Sequence, residues 1–118
     1  MKGIGERRKV YRRALERALE RLVAHLTADP AVQRIILFGS YARGRRDLRT
    51  DLDVLVVKET PLGFVDRVAE MYRMIGGRLG VDADILVYTP DEWARMKETA
   101  FGRRILEGGR VLYEKRTT

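Results

Sequence analysis

Residues 34–57 read Arg34-Ile-Ile-Leu-Phe-Gly-Ser-Tyr-Ala-Arg-Gly-Arg-Arg-Asp-Leu-Arg-Thr-Asp-Leu-Asp-Val-Leu-Val-Val57. Two apolar runs of strand length, Arg34–Phe38 and Asp51–Val57, flank a polar, arginine-rich segment. The first ends at Gly39-Ser40, where a brief helical turn over Ser40–Arg43 is expected. The second opens on two aspartates with one residue between them. Successive strand side chains alternate between faces, so Asp51 and Asp53 project to one side and Leu52 to the other. Two bare carboxylates in an otherwise apolar strand cost several kcal/mol through desolvation and repulsion unless a cation compensates. Oxygen donors of this kind select Mg²⁺ or Mn²⁺.

Working outward, Val81–Tyr88 is a third strand that repeats the device with Asp82 and Asp84 at matching parity. Either could supply a third carboxylate. Asp84 is favoured because it leads directly into Ile85-Leu-Val87, whereas Asp82 sits at the start of the strand. Upstream, Val10, Tyr11, Ala14, Ala18, Leu22 and Leu26 recur at helical spacing from about Glu6 to Leu26, and Asp29-Pro30 ends the run. The opposite face of that helix is charged, with Arg12 and Glu16 spaced as an ion pair. Its single histidine, His25, is read as a surface residue complementing the helix dipole.

Downstream of Pro61 and Gly63 a helix is expected with Phe64, Val65, Val68, Tyr72, Ile75 and Leu79 on one stripe, Gly76-Gly77 as an early stop and Gly80 as a C-terminal cap. Thr89-Pro-Asp-Glu92 is a capping box opening a helix through Trp93 and Met96. Phe101–Leu106 reads as helix and Arg110–Tyr113 as a last strand. Trp93, Tyr72, Tyr88 and Tyr113 are assigned to packing. The result is an α/β (α+β) chain, one mixed sheet of about four strands with helices packed on one face, leaving the other free for the carboxylates.

Composition limits the chemistry. At 118 residues, one domain spanning 1–118 is expected. Cysteine is absent and there is one histidine, which excludes disulfides, thiolate nucleophiles and Cys/His zinc sites. The charge of +7 is dominated by arginine, which favours phosphate-bearing partners. No stretch approaches the roughly 18 apolar residues of a membrane span, and the charged N-terminus lacks a signal core, so the cytoplasm is the default location. At the strand-to-turn junction, Gly39 lets the backbone approach a ligand, and Ser40 offers a hydroxyl beside unpaired N–H groups suited to phosphate oxygens. Arg43, one turn on, is a candidate for the same phosphates.

Taken together, Gly39-Ser40, a ten-residue gap, Asp51-Leu52-Asp53, and then Asp84 on a neighbouring strand resemble the minimal nucleotidyltransferases of the DNA polymerase β superfamily. Gly39-Ser-Tyr-Ala-Arg-Gly44 matches that family's Gly-Ser-x-Ala-Arg-Gly form, while Thr50 stands where serine is usual. The resemblance covers most of the chain, from the first strand to Leu112-Tyr-Glu114. It implies a polymerase β palm-like nucleotidyltransferase fold and a site in which Asp51 and Asp53 bind two divalent ions. Asp84 would add a ligand and act as base, and Ser40 would grip ATP or another nucleoside triphosphate. It further implies transfer of a nucleoside monophosphate, foremost AMP, to an acceptor hydroxyl. Similar stand-alone members pair with HEPN-domain proteins as antitoxins that modify a toxin tyrosine. Two other readings remain open: a non-catalytic nucleotide- or partner-binding subunit, and a basic nucleic-acid-binding domain, which no recognised reading motif supports.

Overall fold

The computed structural model describes residues 3–75 and 78–116. A long helix, α1 (Ile4–Thr27), leads into β1 (Val32–Phe38) through a turn in which the Asp29 carboxylate accepts from the Ala31 N–H at 2.9 Å. A four-residue turn of helix, α2 (Gly39–Ala42), follows β1, and an arginine-rich loop returns the chain to β2 (Leu52–Lys58). Then come α3 (Phe64–Ile75), β3 (Ala83–Tyr88), α4 (Pro90–Met96), α5 (Ala100–Gly108) and β4 (Arg110–Glu114). The sheet order is β3-β2-β1-β4, with β2 and β3 parallel and the other pairs antiparallel. The α/β class, the four-strand mixed sheet and the element types are as expected, and the capping box on α4 has both its reciprocal bonds. Gly76-Gly77, the expected stop of α3, lies outside the described residues, while Gly80 takes the positive φ (+74°) that an L side chain avoids.

One expectation is corrected: the helices do not share one face. Leu15, Ala18, Leu22 and Leu26 of α1 pack with Ile35, Leu37, Leu52, Val54 and Val56 on one side of the sheet. On the other side Trp93 and Ile105, from α4 and α5, cover Ile36, Leu55 and Val57. The reason lies in β1 and β2 themselves. Ile35-Ile-Leu37 and Val54-Leu-Val-Val57 are apolar at both parities, the pattern of strands buried on both faces. The carboxylates therefore occupy the end of a covered face.

Two side-chain expectations also change. Arg12 and Glu16 form no ion pair among the described residues. Phe64, Val65 and Tyr72 are 50%, 77% and 65% exposed, because α3 packs beside the edge strand β3 and buries Arg67 and Met71 instead. Buried Arg67 donates to the carbonyls of Leu62 (2.7 Å) and Val87 (3.2 Å) and pairs with Glu92 at 2.6 Å, joining α3, β3 and the start of α4. At the far end of β2, buried Lys58 pairs with Asp29 (2.7 Å) and Glu70 (3.1 Å).

Candidate active site

The carboxylates gather where β1 ends and β2 and β3 begin. In the parallel ladder Asp53 stands directly beside Asp84, and in the antiparallel one it stands opposite Phe38. Asp51 immediately precedes β2, and the next residue, Leu52, donates its N–H to the Asp82 carbonyl at 3.1 Å. Asp82 is thus held by its backbone at the strand entrance, while Asp84 is the carboxylate registered with Asp53.

Chain reversal at the end of β1 requires Gly39 for two reasons. Its φ is +75°, and a Cβ there would run into the Asp53 carboxylate. Ser40 follows in the first turn of α2, half-buried, and its carbonyl accepts the Arg45 N–H at 2.9 Å. Arg43 closes this turn and is exposed. Gly39, Ser40 and Arg43 border the carboxylates from the α2 side. On the other side Asp51, Asp53, Asp82 and Asp84 line a cleft of about 760 Å³ with apolar walls that include Phe38, Phe64, Tyr72 and Phe101.

The electrostatics are one-sided. Burial, then the charges of Asp84 and Asp51, push the Asp53 carboxyl above its ordinary range, and the nearby Arg43 guanidinium opposes this. Among the described residues no three carboxylate or imidazole groups stand close enough together to hold a metal ion with their side chains as placed. The donor chemistry nonetheless fits a hard divalent cation. The charges of Asp84 and Asp51 press on Asp53, and a cation would relieve that repulsion.

Several supporting residues escaped the sequence reading. The Tyr11 hydroxyl donates to the Thr50 carbonyl at 2.7 Å, tying α1 to the residue before Asp51, and Thr50 itself is fully buried. The Tyr11 phenol is pushed up by burial first and then by Asp51, Asp82 and Asp47. Asp47 organises the loop: it accepts from the Arg49 N–H (2.9 Å) and the Thr50 hydroxyl (3.2 Å) and pairs with Arg45 (2.8 Å). An Asp two residues before an N–H it could accept was the available signal. Tyr41, at the variable position of the motif, is buried in the core, and Arg46 lies 3.5 Å from its ring centroid and donates to its carbonyl at 2.7 Å.

Residues 13–107 match the nucleotidyltransferase domain family. The chain belongs to that family. As a nucleotidyltransferase it is an enzyme, and it is 34% identical over 82 residues to the putative protein adenylyltransferase MJ0604 of Methanocaldococcus jannaschii, covering 70% of this chain and 79% of that one. Its fold is shared with solved structures. One is a putative nucleotidyltransferase from Sulfolobus solfataricus, with a TM-score of 0.60, 21% identity and coverage of 98% of this chain and 91% of that one. Another is the complex of tri-AMPylated Shewanella oneidensis HEPN toxin with MNT antitoxin, with a TM-score of 0.57, 21% identity, and 83% and 71% coverage. No helix among the described residues is long and apolar enough to cross a membrane.

Proposed function

We propose that this nucleotidyltransferase moves AMP from ATP to a hydroxyl of a protein acceptor, and that a HEPN-domain protein is that acceptor and partner. The observation that carries the chemistry is the registered pair Asp53 and Asp84, with Asp51 two residues away and Gly39-Ser40 turning directly above Asp53. Support for adenylyl transfer to protein comes from the name of the 34% identical relative. Support for the partner comes from the AMPylated HEPN toxin bound to an MNT antitoxin that shares the fold.

In this reading residues 1–118 act as one nucleotidyltransferase domain. Asp51, Asp53 and Asp84 are the residues that would hold two Mg²⁺ ions, with Mn²⁺ as a substitute, and bound cations supply Lewis-acid polarisation and neutralise phosphate charge. The chain's own groups do the rest. Ser40 and the N–H groups of the turn at Gly39 hold the triphosphate, and Arg43 adds charge from the solvent side. The acceptor oxygen forms a bond to the α-phosphorus as the α–β phosphoanhydride bond breaks. Pyrophosphate leaves with the bonding pair, and the Asp84 carboxylate takes the acceptor's proton.

The test incubates the full chain with Mg²⁺, a HEPN-domain protein and ATP labelled on either the α- or the γ-phosphate. Label should enter the HEPN protein from α-labelled ATP only. Transfer of the γ-label would make the enzyme a kinase, and no transfer of either label to any acceptor would sink the proposal.

A further inference from the structure

The net charge of +7 arises in two segments of the sequence. Residues 4–14 carry Arg7, Arg8, Lys9, Arg12 and Arg13 against Glu6 alone, and residues 43–49 carry four arginines against Asp47, while the remaining residues come close to balance. The two segments are neighbours, since Tyr11 of α1 bonds to Thr50 at the end of the arginine-rich loop. Tyr11 and Ala14 are half-buried, with Tyr11 packed on the core, so residues 4–10, about 10 Å of helix at ~1.5 Å per residue, run on past it. Ile4, in line with the buried stripe, is 61% exposed.

These cations are not internally compensated. None of the five in residues 4–14 has a carboxylate partner among the described residues. In the loop, Arg45 is paired with Asp47 and Arg46 is held against Tyr41, which leaves Arg43 and Arg49 facing solvent.

Their arrangement discriminates between ligands. At roughly 100° per residue, Arg7, Arg8, Lys9, Arg12 and Arg13 are spread over about two thirds of the helix circumference. A flat acidic protein surface reaches only one side of a helix. A groove with phosphates along both walls reaches most of it, and the B-DNA major groove, about 12 Å wide, admits an α-helix. The deep groove of A-form RNA is too narrow. Four of the five cations are arginines, whose forked donors suit phosphate oxygens. Contacts of these cations to phosphate oxygens carry no sequence information.

We propose that the projecting N-terminal end of α1 docks in the major groove of duplex DNA, the cations of residues 7–13 on the phosphates of both walls and Arg49 on those nearest the core. The test measures anisotropy of a labelled duplex of about 20 base pairs with the full chain across salt concentrations. Five or six phosphate contacts give a slope of log K against log salt of about −5. The variant Arg8→Glu/Arg12→Glu/Arg13→Glu should bind at least tenfold more weakly near 100 mM salt, with the slope reduced by about 3. Arg95→Glu/Arg103→Glu/Arg104→Glu makes the same change in net charge at exposed positions of α4 and α5 and should stay within about threefold of wild type. Should the first variant lose helicity by circular dichroism, Arg12→Gln/Arg13→Gln carries the test through a slope change of about 2. Equal weakening by the two triple variants would overturn the proposal. So would equally tight binding of single-stranded DNA, an RNA duplex or labelled polyglutamate.

Discussion

Replacing Gly39 by alanine separates backbone strain from displacement of a site carboxylate, because Gly44 provides a matched control. Both glycines lie at positive φ, +75° and +100°. An L residue in the left-handed region costs roughly 1–2 kcal/mol. In a chain of this length that lowers Tm by about 4–8 °C, at ~4 °C per kcal/mol. The surroundings differ: a Cβ at Gly44 meets nothing within 4 Å, whereas one at Gly39 runs into the Asp53 carboxylate and lies 3.1 Å from the Asp53 Cβ. Asp53 must therefore shift in Gly39→Ala, and a misplacement of about 1 Å in a reacting constellation costs on the order of 10²-fold in rate. The assay pairs thermal unfolding with the rate of label transfer from α-labelled ATP. Gly44→Ala should show the Tm loss with activity within about threefold of wild type, and Gly39→Ala should add a rate loss of about 10²-fold. Equal activity in the two variants would refute the claim that the glycine turn positions Asp53.

Other perturbations probe different contacts. Asp53→Asn should raise Tm at neutral pH without divalent ions. The folded-state pKa of Asp53 lies above its ordinary value, so its protonated form adds stability that is lost as pH rises through the raised pKa, and asparagine removes that loss. Mg²⁺ should in turn raise the Tm of wild type but not of this variant, as read by differential scanning calorimetry with and without EDTA. Tyr11→Phe removes the bond to the Thr50 carbonyl, costing about 1 kcal/mol, and should raise the Mg²⁺ concentration needed for half-maximal transfer. Glu92 behaves oppositely to Asp53. Its bonds to Arg67 and then to the Thr89 N–H hold its pKa below the ordinary 4.5, so its contribution is present above that value and disappears as pH falls through the lowered one. An acid titration of Tm should accordingly be flatter in this range for Glu92→Gln than for wild type.

Much of the fold was legible because its signals are local. Short apolar runs of strand length placed β1, β2 and β3, the Thr89-to-Glu92 box placed α4, and the Gly39-Ser40 to Asp51-x-Asp53 spacing placed the carboxylates beside the turn. The covered second face was legible too, since Ile35-Ile-Leu37 is apolar at both parities, but the aspartates drew the reading toward a free polar face. Strand pairing was not legible: parity puts both Asp82 and Asp84 on the right side, and only the parallel register of β2 and β3 aligns Asp84 with Asp53. Contacts between distant segments left no trace in composition. Tyr11 reads as one more apolar position, yet its hydroxyl reaches Thr50 across 39 residues of sequence. Nothing in the local pattern marks Arg67 and Lys58 as buried, since their partners Glu92, Asp29 and Glu70 come from other parts of the sequence.

The most direct test compares AMP transfer from α-labelled ATP by wild type, Asp51→Asn, Asp53→Asn, Asp84→Asn and Asp82→Asn under one condition, with circular dichroism confirming each fold. The first three substitutions should abolish transfer, and Asp82→Asn, held by its backbone carbonyl at the strand entrance, should retain most of it. Transfer that survives Asp53→Asn, or that is lost in Asp82→Asn but kept in Asp84→Asn, would contradict that expectation.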